Sequence, residues 1–170
     1  MVYLFFASGV NNFAKLPIVT NTVVDVAEFS DEQFKDKITI LGFLGNDVSL
    51  KKGSALNLNQ KIYKRFHGFE DFQFLMVQPQ GTEKECQQLV DELSRSTQVD
   101  TKGWKFVFLD PVQIQLVFDR LNTPLSLDEN LGSPYVFIID KEVALRGRDD
   151  NDNVGYLSLI HISEPTRLRR

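Results

Sequence analysis

One cysteine stands in 170 residues, at position 86. That excludes a disulfide framework within the chain and any metal clip built from two thiolates. Histidine is nearly as scarce, with His67 and His161 alone, so an imidazole-rich metal centre is excluded as well. No Lys/Arg stripe with interleaved aromatics runs through the domain as a whole, and the formal charge is −4. The chain is not built as a nucleic-acid binder. No apolar run approaches the roughly 20 residues that span a bilayer. What remains is ordinary globular composition, 42% hydrophobic and 25% charged, over a length that suits one domain with one good core.

Both ends differ from the middle. Val2 to Ala7 is uncharged and aromatic-rich and lacks the basic region of a signal peptide. An apolar first strand is one reading. The Asn11-Asn12 pair and the extended "KLPIVTN" that follows fit better with a linker leaving a membrane. Residues 1–20 are therefore expected to be the remnant of a membrane anchor and its linker. At the other end, "LSLIHISEPTRLRR", Leu157–Arg170, breaks with what precedes it and resembles the translated read-through of a transposon-type sequencing adapter. It is set apart from fold reasoning as a non-native tail. Without it, residues 1–156 hold 16 Lys+Arg against 22 Asp+Glu. The domain is expected over residues 21–156, truncated at its C-terminal end.

Within that span the periodicities alternate. Ser30-Asp31-Glu32-Gln33 has the capping-box pattern, with Phe29 and Phe34 placed as a staple, and predicts a short helix ending near Lys37. Ile38–Leu44 is a continuous apolar run typical of a strand buried on both faces. Ala55, Leu58, Ile62 and Phe66 then recur at helical spacing, with Gly68 at the stop. Phe72–Val77 reads as a strand closed by Pro79. Thr82-Glu83-Lys84-Glu85 repeats the capping-box pattern, and Cys86, Leu89, Val90 and Leu93 form one helical stripe. Trp104–Leu109 is a third strand. Asp110 caps a helix with Pro111 at its first position, and Ile114, Val117, Phe118 and Leu121 form its inner face. Asn122–Ser133 is polar and irregular. Tyr135–Ile139 and Val143–Arg148 are expected to close the domain as a hairpin. This β-α-β-α-β-α-β-β order predicts an α/β fold. Its central sheet would be mostly parallel, with a C-terminal antiparallel hairpin and helices on both faces.

That order, with Ser133-Pro134 leading into "YVFIIDK", resembles the thioredoxin-like fold, in which a cis-proline faces the active-site turn. Pro134 is the candidate for that proline. Four segments narrow the resemblance to the Sco/SenC-like branch of Bacteroidetes envelopes: "FKDKITILGFLGN", "LNQKIYKRF", "FLMVQPQGT" and "SPYVFIIDKEVALRGR". The branch implies a Cys-x-x-x-Cys motif after the first long strand and a histidine before the closing hairpin, used for copper binding or thiol chemistry. Aligned on the strand and on Phe66, Val48 and Lys52 occupy the two cysteine places. No histidine lies between Gly68 and Tyr156.

Copper and zinc need soft thiolate or imidazole ligands. Val48 offers none, and Lys52 would repel a cation. Disulfide exchange needs a thiolate, and this junction has no thiol. Cys86 is expected to be buried and inert. His67 suits a helix C-terminus. "RGRDDNDN", Arg146–Asn153, puts its glycine and acids in the wrong places for a calcium loop. Lys51, Lys52, Lys61, Lys64 and Arg65 are expected on a helix's solvent face. Asn46 and Asp47 sit where helix-start amides could hold an anion or a peptide.

The resemblance, with its chemistry removed, leads to the following expectations. The chain is a non-catalytic envelope domain, membrane-anchored and facing the periplasm or outside. It acts by binding a protein partner, in the setting of respiratory-complex or copper-protein assembly. No cofactor, metal or nucleic acid is expected. The alternative is a thiol-dependent reductase or peroxidase using Cys86.

Overall fold

The computed structural model describes residues 18–147 apart from 22 and 24. The apolar start Val2–Ala7, the acidic stretch from residue 148 and the tail Leu157–Arg170 lie outside the described residues. Six strands form one sheet: β1 (Ile18–Thr20), β2 (Ile38–Leu44), β3 (Phe72–Pro79), β4 (Trp104–Leu109), β5 (Gly132–Ile139) and β6 (Leu145–Arg146). Their order across the sheet is β1-β6-β5-β2-β3-β4.

The sheet is mixed, which corrects the expectation of a mostly parallel one. β2–β3 and β3–β4 are parallel, whereas β2–β5, β5–β6 and β1–β6 are antiparallel. Alternation of strand and helix signals fixes parallel pairing only where a helix carries the chain back. β5 arrives after a long irregular segment and enters beside β2 from the opposite direction. β1, whose residues the sequence assigned to a linker, adds an antiparallel edge beside the two-residue β6.

β2 is the central strand because its residues suit both faces. Leu41 and Phe43 point to one core with Leu75, Val77, Val107, Phe137 and Ile139. Ile40 and Leu44 point to the other with Phe74, Met76, Trp104 and Val136. The first face is covered by α3 (Pro111–Asp119), whose Ile114, Val117 and Phe118 are buried together with Leu121, as their spacing predicts. Asp110 caps it through Gln113 N–H (2.8 Å), and the Gln113 side chain answers to Asp110 N–H (3.1 Å). The second face is covered by α1, which begins with Val48–Leu58, and by α2 (Glu83–Thr97).

Three local expectations fail for identifiable reasons. No helix runs from Ser30 to Lys37. Ser30 Oγ instead accepts Glu32 N–H (3.2 Å) in a turn. The Asp25 carboxylate accepts Phe34 N–H at 2.9 Å, and Phe34 enters the core. Asp25 also caps a short 3₁₀ turn, Val26–Glu28. At α2, Thr82 is the N-cap residue, but its hydroxyl donates to Pro79 O (2.8 Å) rather than accepting from the helix. Glu83 accepts Gly81 N–H instead (3.1 Å), so the reciprocal box does not form.

The third departure has the largest consequence. α1 runs through Val48–Leu58, widens into a π-helical turn over Asn59–Tyr63, and ends in Lys64–Phe66. A π-turn inserts one extra residue and rotates the downstream face by about 100°. Ala55 and Leu58 are buried as their spacing requires. Beyond them the inward position passes to Tyr63, and Phe66 is turned out to 44% exposure. Asn59 explains the turn. Its amide donates to Leu93 O (2.9 Å) and Thr97 Oγ1 (3.1 Å), and its carbonyl accepts Trp104 Nε1–H (3.1 Å). Tyr63 then reaches Asp100 O (2.8 Å) and accepts Gly103 N–H (2.9 Å).

Candidate functional site

The junction between β2 and α1 is the natural place for a site, because the carboxyl end of a central strand meets a helix start there. Gly45 turns the chain with φ +80°, a conformation open to glycine and costly for other residues. Asn46 N–H donates to Asn130 O (2.8 Å). Asp47 is the N-cap: its carboxylate accepts Ser49 N–H (3.1 Å), Leu50 N–H (3.4 Å) and the Ser49 hydroxyl (2.5 Å). The Ser49 hydroxyl, helped by those amides, holds the Asp47 carboxyl below its ordinary range. Three amides at this helix start, those of Asn46, Ser49 and Leu50, are therefore already engaged, and an arriving anion meets Asp47's own charge.

Behind the turn, Gln78 is fully buried at the end of β3. In the amide orientation its surroundings require, it donates to Gly45 O (3.2 Å) and accepts Leu44 N–H (3.1 Å). In front, Asp128 Oδ1 accepts the amides of Asn130 (2.9 Å) and Gly132 (2.8 Å), and its other oxygen lies 3.5 Å from Lys51 Nζ. The loop before β5 is thus clasped onto the start of α1.

Two depressions flank α1. The larger is a cleft of about 200 Å³ between α1 and the start of β5. Its floor is Gly42, Leu58, Met76, Trp104 and Val136, and its rim is Leu50, Lys51, Ser54, Ser133, Pro134 and Tyr135. Gly42 matters here because an added Cβ would come within 2.7 Å of Met76 Sδ. The smaller is a groove of about 120 Å³ between α1 and α2, lined by Val48, Lys52, Glu85, Leu89 and Glu92 among others.

Of the three positions singled out from the sequence, Val48 and Lys52 line the α1–α2 groove, and Pro134 lines the cleft on another flank of α1. Val48 is buried, and Lys52 is paired with Glu92 at 2.5 Å. Residues of α1 that share the cleft with Pro134 include Leu50, Lys51 and Ser54, which no motif in the sequence marks. Finding them requires the phase of α1 relative to β5, and no local motif carries that. The Ser133–Pro134 bond is trans, because the described residues contain no cis peptide. That corrects the expectation of a cis-proline: Ser133 and Pro134 already belong to β5, in its extended backbone.

Cys86 lies on α2 at 2% exposure among Leu89, Leu93 and the β-sheet side chains. Burial pushes its thiol up to about 11, the Thr82 hydroxyl at 3.8 Å opposes that shift, and Glu85 and Glu83 add to it. A thiol in that state is protonated at neutral pH and a poor nucleophile. A copper site of the kind the resemblance implies does not fit the residues present. The cleft and groove offer ammonium, hydroxyl and carboxylate groups, with no thiolate or imidazole among their lining residues. Among the described residues no cluster of His, Cys, Asp and Glu is arranged to hold a metal ion. No helix of the described residues is long and apolar enough to cross a membrane.

The layered sheet, with α1 and α2 on one face and α3 on the other, is an α/β arrangement of the thioredoxin-like fold. No family model matches the chain, and no curated protein does. Among solved structures it is similar to BsSco, a member of the Sco family of cytochrome c oxidase assembly proteins, with TM-score 0.52 and 7% identity over 78% of this chain and 85% of that one. At that identity the likeness is one of fold. Weaker similarity extends to the thioredoxin domain of a thiol-disulfide oxidoreductase from Bacteroides vulgatus (TM-score 0.46, 18% identity, 78% of this chain and 84% of that one). It also extends to a SCO1/SenC family lipoprotein from Bacillus anthracis (TM-score 0.45, 14% identity, 78% and 83%).

Proposed function

We propose that this chain is a Sco-related, thioredoxin-like domain that does no redox or metal chemistry and works by binding a protein partner. The observation that carries the reading is the state of its one thiol. Cys86 is buried on α2, with its pKa raised to about 11. The β2–α1 junction, where a thioredoxin-type fold would place its reacting groups, holds a capping aspartate, an apolar valine and an ion-paired lysine.

In this reading the cleft between α1 and β5 is the contact surface. Its floor is apolar, Leu50 stands at its lip with 69% exposure, and Lys51, Ser54 and Ser133 provide polar groups at the rim. A pocket of that kind suits an apolar side chain of a partner, with a carboxylate or carbonyl held at the edge. The resemblance to Sco proteins extends the proposal to respiratory-complex or copper-protein assembly. It also extends it to a membrane-anchored domain facing the periplasm or outside.

The second reading, a thiol-dependent reductase or peroxidase at Cys86, needs that side chain exposed and deprotonated. Burial and the neighbouring Glu83 and Glu85 oppose both.

Copper titration tests the leading reading. The full chain, mixed with Cu(I) and a chromophoric chelator, is expected to leave the metal with the chelator. A tight 1:1 Cu(I) complex would contradict it.

A further inference from the structure

The π-turn of α1 has an effect at the opposite end of the helix from the cleft. It turns Phe66 outward to 44% exposure, and Phe69 in the following turn is 60% exposed. The two rings lie 6.3 Å apart, and Phe66 lies 5.5 Å from Phe72. Phe72 is paired across the sheet with Ile38, itself 39% exposed. Four large apolar side chains thus form one continuous surface patch rather than scattered exposures.

The surroundings of the patch are basic. Lys61, Lys64 and Arg65 are exposed on the same helix end, and no carboxylate of the described residues pairs with them. The stretch Lys61–Phe69 holds three cations and no acid in a chain of net charge −4. The nearby acids are Glu70, which is exposed in the same turn, Asp71, held by Lys141, and Asp100, held by Lys102 at 2.8 Å. Residues 64–70 are all exposed, and a Cβ added to Gly68 would meet nothing within 4 Å.

We propose that this end of α1, with the turn that follows it, docks on an anionic membrane surface. The charge complementarity is direct: lysine and arginine at the rim meet lipid phosphates while Phe66 and Phe69 enter the boundary between headgroups and acyl chains. Two exposed rings bordered by cations, on a turn rather than in a pocket, favour a lipid surface over an acidic protein partner. A partner protein must supply a matching pocket for the two exposed rings, whereas a lipid interface deforms around them.

Vesicle co-sedimentation of the full chain tests the proposal, using phosphatidylcholine vesicles with and without about 30% phosphatidylglycerol. The wild-type chain is expected to bind the anionic vesicles, to bind the neutral ones far less, and to be released by salt. Combined Lys61→Glu, Lys64→Glu and Arg65→Glu changes should weaken binding by at least about 100-fold, about fivefold for each cation lost and more from the acids gained. Combined Phe66→Ser and Phe69→Ser changes should weaken it by about 10-fold. All five positions are exposed, and thermal melting of each variant confirms that its fold is kept. Absence of wild-type binding to anionic vesicles, as an acidic protein partner would give, overturns the proposal. So does equal binding to both vesicle types. Binding unchanged in both variants overturns it too and assigns the affinity to another part of the chain.

Discussion

Gly45→Ala is expected to destabilise the domain by about 3 kcal/mol or more, a fall of about 10 °C in melting temperature for a domain of this size. Two costs combine. At φ +80° any L side chain enters a region that costs about 1–2 kcal/mol. The new methyl would also lie 2.5 Å from Asn130 O and 2.9 Å from Gly132 N, both backbone atoms that cannot swing away. Those atoms belong to the loop that Asp128 clasps and that donates the acceptor for Asn46 N–H. Relief of the clash would therefore pull the loop from α1 and open the cleft. Gly53→Ala is the internal control. Gly53 lies within α1, and its added Cβ meets nothing within 4 Å. Alanine there should stabilise by about 0.5–1 kcal/mol through helix propensity. The same chemical change thus has opposite signs eight residues apart. Thermal or urea unfolding of both variants measures it, and an unchanged melt for Gly45→Ala would show that the loop is not clasped as described.

Asn59→Leu is expected to cost about 3 kcal/mol. The side chains are similar in size, so the loss is polar rather than volumetric. Leucine removes the acceptor for Trp104 Nε1–H and the donor to Thr97 Oγ1. It leaves a buried indole N–H without a partner in the core between α1, α2 and β4. The asparagine is also what the π-turn is built around, so its removal should let α1 relax toward a regular helix. Gln60→Leu, one residue on, alters an exposed side chain with a 3.3 Å bond to Ser96 O and should change stability by less than about 0.5 kcal/mol. Urea unfolding with tryptophan fluorescence reads both the stability and the environment of Trp104. Equal effects of the two substitutions would contradict the role given to Asn59.

These two residues show which features were legible in the sequence. The strand β2, the inner face of α3 and its Asp110 cap follow directly from composition and spacing. Each is decided within a dozen residues by hydrophobic period or by local hydrogen bonding. The false helix after Ser30 and the false capping box at Thr82 arise from the same local rules. In both places a hydroxyl had a competing backbone partner that spacing does not display. The π-turn was illegible for a tertiary reason, because Asn59 is drawn inward by Leu93, Thr97 and Trp104, all distant in sequence. With the turn missed, Phe66 was placed on the buried stripe and the basic aromatic patch could not be seen. The antiparallel half of the sheet was hidden in the same way, since the direction in which β5 enters depends on the path of residues 122–131. At the candidate site, Pro134 is marked by its sequence as a cis-proline facing the turn, whereas it lines the cleft as a trans residue of β5, and its neighbours across the cleft depend on the phase of α1.

The chemical silence proposed for the domain rests most directly on Cys86. Its alkylation by iodoacetamide, compared in the native chain and in the chain unfolded in denaturant, measures thiolate character and access together. A rise from the ordinary thiol value of 9.0 to about 11 lowers the thiolate fraction at pH 8 by about 100-fold. Burial then slows reaction further. Native labelling should therefore be at least about 100-fold slower than labelling of the unfolded chain, and should rise about tenfold per pH unit until pH approaches 11. Native labelling as fast as that of the unfolded chain at pH 7 would contradict a non-catalytic domain and favour the thiol enzyme.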